Sequence, residues 1–325
     1  MTSISLIVPV YNAAKTLQAS LDSIKAQTFR DFEVVFVDDR STDDTPRMIE
    51  SFANDSGVQC KILQQERNCG VAAARNRALD AAEGEFVAFV DADDTIAPQA
   101  LEKAVAAVSD PDVDVAGWDW TLGFETNGRY MRQADYDTPL DALKALMGGT
   151  MRWNLWLFLT RRSLLQDNGI RFIDGANMGE DMMLMLKAFL KARKVVQIHE
   201  SLYNYNAVST SSISRQFSGE RRAEVTRNVA EAEQAVLSSR YSAELAEYIS
   251  HLKLYIKLPL LITAEKENYL IWYEWFSEAN KYAFSNKQLP LRTRIVQWMA
   301  ARCCWAGVRL YYLLVYKFVY GIIYR

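Results

Sequence analysis

The chain has 325 residues, of which 50% are hydrophobic and 12% aromatic, so it can bury the core of one large or two small domains and is not intrinsically disordered. Its only two histidines, His199 and His251, nearly exclude a multi-histidine zinc site and give little basis for a serine–histidine–aspartate triad. The net charge of −3 is uneven: residues 287–325 hold seven basic side chains and no acidic one, which suggests that this end meets a negative surface.

The first 110 residues alternate strand-like and helix-like patterns. Apolar runs of strand length predict β-strands, and segments with helical spacing or capping residues predict helices between them. This alternation predicts an α/β fold with a mainly parallel sheet and helices on both faces, in which ligands bind beyond the carboxyl ends of the strands. The predicted strands are residues 4–10, 32–39, 58–64 and 85–94, and the predicted helices are residues 17–27, 41–55, 70–84 and 97–109.

The rest of the chain changes from a mixed pattern to a helical one. Residues 113–133 resemble two strands joined by a turn at Asn127-Gly128, residues 179–192 a helix, and residues 195–206 a strand. After Ser218 the pattern is helical to the end, with breaks at Pro259 and Pro290. We therefore expect an α/β domain over residues 1–217 and a helical extension over residues 218–325.

The stretch FVAFVDADDTI, residues 86–96, is an apolar strand that ends in Asp91, Asp93 and Asp94. Like charges at one strand end repel each other, so a positive group is expected beside them. Two enzyme classes use such a stretch. One is a phosphatase with a D-x-D-x-T signature, which Asp91, Asp93 and Thr95 fit. The other is a sugar-nucleotide transferase whose D-x-D holds a divalent metal against a diphosphate.

Other polar side chains follow the neighbouring predicted strands and should meet these aspartates at the same sheet edge. They are Tyr11, Asn12, Asp38 and Asp39. Residues 3 to about 215 resemble a family 2 inverting glycosyltransferase of the GT-A fold. The segments that carry the resemblance are ISLIVPVYNAAKTLQASLDSIKAQTFRDFEVVFVDDRSTDDT, NCGVAAARNRAL, GEFVAFVDADD and GED, and their order and spacing make it specific.

The resemblance implies a donor site for a nucleotide-diphospho-sugar, with UDP as the expected nucleotide. Pro9, Val10 and Tyr11 would line the base pocket, with Tyr11 near the uracil, and Asp39 would accept a hydrogen bond from the base. Gly70, Arg75 and Asn76 would flank the nucleotide, Asp91 would touch the ribose or the metal shell, and Asp93 would coordinate Mn²⁺ or Mg²⁺. For two of these residues a purely structural interpretation stays open: Asp39 would be an acid near a helix start, and Arg75 would be an exposed helix arginine.

The resemblance also implies a catalytic base and an acceptor site. Asp181 in GED would take the proton of the acceptor hydroxyl; as an alternative, it is a helix N-terminal carboxylate. Residues expected near the acceptor are Trp118, Trp156 and Glu180, with Trp120 and Trp153 in the same region, although buried core tryptophans would look the same. Residues expected near the diphosphate are Tyr205, Ser212, Ser214 and Arg215, with a polar loop as the alternative.

The rival functions fit less of the sequence. A D-x-D-x-T phosphatase of the haloacid dehalogenase type normally carries its nucleophile on the first strand, whereas three predicted strands precede Asp91. A nucleotidyltransferase usually opens with a Gly- and Arg-rich loop, which PVYNAAKTL is not. A non-catalytic sugar-nucleotide-binding module should have lost the metal-binding or the base carboxylate, whereas this sequence has both. A Q-x-x-R-W motif of processive synthases is absent, which favours the addition of a single sugar.

Residues 294–325 are aromatic and basic. Charges interrupt every window that could span a membrane, and Arg302, Arg309 and Lys317 share an arc of roughly 80° on a helical wheel. This predicts one helix in the plane of an anionic membrane surface, with packing on the catalytic domain or on a second subunit in a homodimer as the alternative. Membrane contact would suit the acceptor that the family resemblance implies, a saccharide linked to polyprenyl diphosphate in surface polysaccharide synthesis.

The start of the chain and its cysteines bear on location. The opening MTSISLIVPVYN has no basic region and a short apolar run with Pro9, which predicts a first strand and not a signal peptide. The four cysteines form no C-x-x-C pair, which is typical of a reducing compartment. We expect a cytoplasmic enzyme, peripheral on the inner face of the cell membrane, with no nucleic-acid partner.

Overall fold

In the computed structural model, which describes residues 2–124, 127–207 and 218–315, four parallel strands form one half of a sheet. β1 (Ile4–Val10) lies between β2 (Phe32–Asp38) and β4 (Phe86–Phe89), and β3 (Gln59–Gln64) pairs with β2. β1, β2 and β4 are almost wholly buried, which explains why their sequences are continuous apolar runs. Their carboxyl ends meet at one edge of the sheet.

The other half of the sheet mixes both directions. β8 (Phe158–Arg161) runs antiparallel to both β4 and β6 (Val113–Gly123), and β9 (Lys194–Asn206) runs parallel to β6. β5 (Thr95–Ile96) pairs with β9, and β7 (Gly128–Met131) pairs with β6. The order is β3-β2-β1-β4-β8-β6-β9-β5, and parallel pairs join most of the paired residues. The predicted α/β class with a mainly parallel sheet is confirmed.

Helices connect these strands. α7 is apolar nearly all round, and nine of its twelve residues are buried, as expected of a core helix. Neither β8 nor α6 was predicted from the sequence. The helices up to residue 237 are α1 (Leu17–Lys25), α2 (Thr45–Asp55), α3 (Val71–Ala81), α4 (Ala100–Ala107), α5 (Pro139–Gly148), α6 (Arg162–Asp167), α7 (Glu180–Lys191) and α8 (Gly219–Leu237).

The chain divides into two compact units. The first holds the residues up to Asp141 together with Trp153–Ala235, and the second holds Ala142–Arg152 and the described residues from Val236 onward. This division differs from the boundary expected at residue 217, because α8 lies mostly in the first unit. The buried Asn228 of α8 donates to the carbonyl oxygens of Ala176 and Met178, at 3.1 and 2.9 Å.

The second unit is helical. Its helices are α9 (Ser242–Lys257), α10 (Lys266–Glu274), α11 (Leu291–Ala301) and α12 (Trp305–Tyr311). The single helix expected from residue 294 onward is wrong for the described residues, because the chain breaks between α11 and α12, where Cys303 takes a φ of +56°. α12 then packs directly on α11, since a Cβ on Gly307 would lie 2.6 Å from the Met299 sulfur. Lys317 lies outside the described residues.

No helix in residues 2–124, 127–207 or 218–315 is both long and apolar enough to cross a bilayer.

A buried lysine joins three segments of the second unit. Lys257 is 0% exposed, and its Nζ donates to the carbonyl oxygens of Trp275 and Phe276 at 2.7 and 3.2 Å and to Asn280 Oδ1 at 2.6 Å. The same ammonium lies 4.3 Å from the centre of the Trp272 ring. Three acceptors and an aromatic face offset part of the cost of burying the amine, while burial still lowers the pKa of Lys257 to about 7.

We expect Lys257→Met to lower the free energy of unfolding by about 3 kcal/mol, because it leaves buried acceptors without a donor. Lys253→Met is the matched control one turn earlier on α9: its partner Glu278 is 59% exposed, so this change should cost about 1 kcal/mol or less. Urea unfolding of the full chain measures both. Equal losses for the two variants would show that the lysine stem, and not the buried hydrogen bonds, stabilises this unit.

Candidate active site

The ends of β1 and β2 form a polar edge. Asp39 is 5% exposed, and its two carboxylate oxygens accept the backbone N–H groups of Cys69 and Gly70, each at 2.8 Å. Its own N–H donates to the carbonyl oxygen of Val10 at 2.9 Å. Tyr11, which follows Val10 at the end of β1, is 50% exposed and so has an accessible ring. Val10 is buried and Pro9 is half-buried. Asp39 thus holds the loop before α3, and each of its oxygens keeps one further acceptor position.

The start of α3 is fixed by an asparagine that the sequence did not indicate. Asn177 Oδ1 accepts the N–H of Ala72 at 3.0 Å, and its side chain lies against Gly70. Gly70 has a φ of +87°, and a Cβ there would lie 2.4 Å from Asn177, so only glycine fits. Asn76, one turn into α3, holds the chain before α7 through both the N–H and the carbonyl of Phe172.

The three aspartates after β4 occupy different environments. Asp94 is 1% exposed and accepts the Tyr203 hydroxyl at 2.8 Å and the Asn206 N–H at 2.8 Å. The Tyr203 hydroxyl in turn accepts the N–H of Asp91 at 3.1 Å. Asp93 makes no hydrogen bond or ion pair within the described part of the chain. Asp94 is therefore a structural group that fixes the turn, and Asp93 extends from the same turn with no partner among the described residues.

Arg75 connects this turn to the start of α7. Its Nη1 donates to Glu180 Oε1 and to Asp181 Oδ1, each at 2.8 Å, and its Nη2 lies 3.4 Å from Asp91 Oδ1. Arg75 is only 4% exposed, so it is not the surface arginine that the sequence allowed as an alternative. One buried guanidinium thus holds three carboxylates from two separate segments, and it places the predicted base beside the predicted donor end.

The charges of this cluster do not balance, because one cation faces three carboxylates. Burial and the charge of Asp181 raise the pKa of Glu180 to about 8, against the lowering effect of Arg75. Burial raises the pKa of Asp91 to about 6; Arg75 opposes this, and Asp181 and Asp93 add to it. Burial lowers the pKa of Arg75, but the three carboxylates outweigh it and raise that pKa above the ordinary value. At neutral pH the Glu180 carboxyl therefore holds a proton.

We expect Glu180→Gln to change how stability depends on pH. Between about pH 4.5 and pH 8 the folded chain keeps a proton on Glu180 that the unfolded chain has released, so wild-type stability falls across this window. Glutamine has no such proton, and the variant should gain on wild type by an amount on the order of a few kcal/mol from pH 5 to pH 8. Urea unfolding at both pH values measures this. Parallel pH profiles for the two proteins would show that Glu180 is ionised in the fold.

Asp181 is the second residue of α7. Gly179 precedes the helix in the left-handed region, with a φ of +78°, and turns the chain so that the first helical turn faces Arg75. Asp181 Oδ2 accepts the N–H of Leu155 at 3.3 Å, and its side chain is 16% exposed. Its place in the first turn suits the helix dipole, as the structural interpretation expects, and the role of Asp181 as a base stays a prediction.

The residues at this edge fit a divalent cation. The part of the chain that the structure describes contains no group of three or more His, Cys, Asp or Glu side chains placed to hold a metal. Hard cations such as Mg²⁺, however, are commonly held by one or two carboxylates together with substrate phosphates. Among the described residues Asp93 makes no hydrogen bond or ion pair, and it lies beside Asp91, whose side chain is 32% exposed; a cation would offset the repulsion between the two carboxylates.

The predicted acceptor tryptophans are buried. Trp118 and Trp156 are 5% and 4% exposed, and Trp156 is stacked on Tyr203 and Tyr205, with ring centres 4.3 and 5.6 Å apart. Trp120 packs edge-on against Trp156 at 5.9 Å. This burial favours the core interpretation over sugar stacking for both residues. Ser212, Ser214 and Arg215, which were expected near the diphosphate, lie outside the described residues.

Comparisons with known proteins bear on this geometry. A family model described as "Glycosyl transferase family 2" matches residues 5–185. A putative glycosyltransferase of Bacillus subtilis, EpsH, is 32% identical over 220 residues, which cover 66% of this chain and 63% of that protein. The poly(ribitol-phosphate) β-N-acetylglucosaminyltransferase TarS of Staphylococcus aureus is 34% identical over 209 residues, which cover 63% of this chain and 35% of TarS. The chain therefore spans less than two thirds of the length of these relatives.

Solved structures agree on the fold. The S. aureus TarS 1-349 structure in complex with UDP-GlcNAc superimposes with a TM-score of 0.73 at 24% identity, and the match covers 95% of this chain and 90% of that one. The mannosyltransferase PcManGT of Pyrobaculum calidifontis, in complex with GDP-Man and Mn²⁺, gives a TM-score of 0.56 at 22% identity, over 95% and 84% of the two chains. Since the family model matches more than half of the sequence, the chain belongs to glycosyltransferase family 2.

Proposed function

We propose that the chain transfers a single sugar, with inversion, from a nucleotide-diphospho-sugar to a saccharide acceptor, with UDP as the nucleotide and Mn²⁺ or Mg²⁺ as the cofactor. The observation that carries the proposal is the Arg75 cluster: one guanidinium contacts both Asp181 and Asp91, and Asp93, two residues further on, has no partner among the described residues. Direct transfer needs the acceptor oxygen and the anomeric carbon to meet beside both the base and the donor-binding edge. One buried cation shared by the base and that edge holds the two together.

In this proposal the strand ends bind the donor. Tyr11 stacks on the nucleotide base, Pro9 and Val10 shape the pocket behind it, and Asp39 accepts a base N–H with its remaining acceptor positions. Gly70 allows close approach of the backbone, and Asp91 faces the ribose. A divalent cation held by Asp93, when bound, stabilises the negative charge that develops on the departing diphosphate.

The acceptor side uses the start of α7. Asp181 takes the proton from the acceptor hydroxyl as its oxygen attacks the anomeric carbon from the face opposite the diphosphate. Arg75 and the Leu155 N–H hold the carboxylate in place during this step. Glu180, expected from the sequence near the acceptor, is only 8% exposed, so we assign it the role of limiting the negative charge near the base through its proton and not that of contacting the acceptor.

The acceptor class rests on the relatives. By their names, TarS and the poly(ribitol-phosphate) β-glucosyltransferase of Bacillus spizizenii modify a poly(ribitol-phosphate) polymer, and the latter is 30% identical over 202 residues. We propose an acceptor of the same general kind, a precursor of a surface polysaccharide linked to polyprenyl diphosphate. Such an acceptor would keep the enzyme at the inner face of the cell membrane.

A donor screen tests this function. Each UDP- and GDP-sugar is incubated with the full chain and Mn²⁺, and release of the nucleoside diphosphate is measured with and without excess chelator. We expect turnover of at least one UDP-sugar that the chelator abolishes. No release from any donor, together with Asp91-dependent hydrolysis of simple phosphate esters, would overturn the proposal in favour of a phosphatase.

A further inference from the structure

Exposed apolar side chains are concentrated at one end of the chain. Of the fourteen large hydrophobic side chains that are exposed in the described residues, nine lie between residues 270 and 314. Six of them lie on two helices, three on α11 and three at or just after the end of α12: Leu291, Ile295, Trp298, Leu310, Leu313 and Leu314. Scattered exposed leucines are ordinary, but such a concentration indicates a surface that meets something apolar.

The exposed apolar residues of α11 share one side of the helix. Leu291, Ile295, Trp298 and Arg302 follow each other at intervals of four, three and four residues, which places them on one face. Leu291, Ile295 and Trp298 are 57%, 39% and 40% exposed. The opposite side of α11 packs into the second unit through its buried residues Val296, Gln297 and Ala300. The apolar face is therefore not the face that the fold uses for its own packing.

Basic side chains accompany this face. Residues 281–315 contain six lysines and arginines and no aspartate or glutamate. The Arg302 guanidinium lies 4.2 Å from the centre of the Trp298 ring, and that of Arg294 lies 4.4 Å from the centre of the Phe284 ring. Arg309 is exposed on α12 beside Leu310. Thus an arginine guanidinium lies against each of the two exposed rings, Trp298 and Phe284. Such a pair can place its ring in an apolar layer and keep its charge at the polar boundary of that layer.

We propose that this α11–α12 face, made by Leu291, Ile295, Trp298, Arg302, Arg309 and Leu310, binds an anionic membrane surface, with its apolar side chains among the acyl chains and its arginines at the headgroups. Charge decides between a membrane and a second copy of this chain. Two copies meeting through this face would oppose like charges with no acidic partner in residues 281–315, whereas anionic lipids neutralise them. The inference goes beyond the transfer chemistry and does not depend on it.

Vesicle flotation with the full chain tests the proposal. We expect the protein to float with phosphatidylcholine vesicles that contain phosphatidylglycerol, and less with phosphatidylcholine alone. Arg302→Ala with Arg309→Ala should weaken partitioning about 30-fold at low salt, from roughly fivefold for each arginine. Ile295→Ser with Trp298→Ser should remove the binding that persists at high salt. The matched control is Ile62→Ser with Arg47→Ala, an exposed apolar and an exposed basic residue of the first unit, and it should float as wild type does.

Each other outcome counts against the inference. Absence of flotation with either vesicle, or equal losses in the control and the α11–α12 variants, would overturn it. So would a stable dimer in sedimentation that Ile295→Ser with Trp298→Ser dissociates, since the face would then join two copies of the chain. Calorimetry of UDP with Mn²⁺ on the same variants separates this inference from the proposed function: we expect that affinity to be unchanged, whatever the flotation result.

Discussion

Replacing Asp181 by asparagine should lower the rate of sugar transfer by about 10²–10⁴ while the donor still binds. Asparagine keeps the size of the side chain and one oxygen, which can accept from Arg75; the amide nitrogen replaces the oxygen that accepts the Leu155 N–H, so only this 3.3 Å contact is lost and the start of α7 should stay in place. It does not take up the proton that the acceptor hydroxyl must lose. Transfer rates at saturating donor and acceptor, compared with calorimetric affinity for UDP and Mn²⁺, measure the two effects separately.

Asp167→Asn is the control for this change, because Asp167 is an exposed acid of α6. It should transfer at the wild-type rate. If Asp181→Asn also transfers at nearly that rate, another group is the base. If it loses donor affinity as well as rate, Asp181 acts through the Arg75 cluster on the donor site, and the structural interpretation of this carboxylate is the correct one.

Replacing Asp93 by alanine should abolish the metal-dependent part of donor binding and leave the fold intact. Asp93 has no hydrogen-bond or ion-pair partner in the described residues, so its removal breaks no protein contact. Without it the cation loses a carboxylate at the diphosphate, and UDP affinity with Mn²⁺ should fall to the affinity measured without metal. Calorimetry with and without Mn²⁺ gives both values, and a melting curve reports on the fold.

Its neighbour Asp94 provides the contrast. Asp94 is buried and accepts hydrogen bonds from Tyr203 and Asn206, and burial raises its pKa to about 8, with the charge of Asp91 adding to this. Asp94→Ala should therefore destabilise the chain by about 1–3 kcal/mol, since it leaves a buried hydroxyl without its acceptor. A stable Asp93→Ala variant that keeps its metal-dependent affinity would contradict the metal role of Asp93.

The parallel half of the sheet could be predicted from local sequence. β1, β2 and β3 begin and end within one residue of the predicted limits. β1 and β2 are buried parallel strands with nearly unbroken apolar sequences, whereas β3, at the edge of the sheet, is exposed or half-buried throughout. β4 is shorter than residues 85–94, since the acidic residues after Phe89 form a turn that Tyr203 and Asn206 hold. The meeting of polar side chains at one sheet edge followed from the strand directions alone.

The arrangement of the site could not be predicted in the same way. Arg75 meets Glu180 and Asp181 at separations of 105 and 106 residues, and helical periodicity reports only which face a residue occupies. Asn177 likewise reaches α3 from 105 residues away. The break at Cys303 was missed because an apolar and basic composition continues through it, and only the left-handed backbone and the contact of Gly307 with Met299 reveal two helices.

The central claim is that Asp181 acts as a base for one direct displacement at the anomeric carbon. The configuration of the transferred sugar tests it most directly. With an α-linked UDP-sugar as donor, the proton NMR coupling of the anomeric hydrogen in the product should show a β linkage. An α-linked product would mean that configuration is retained, and a single base at Asp181 would then not account for the reaction.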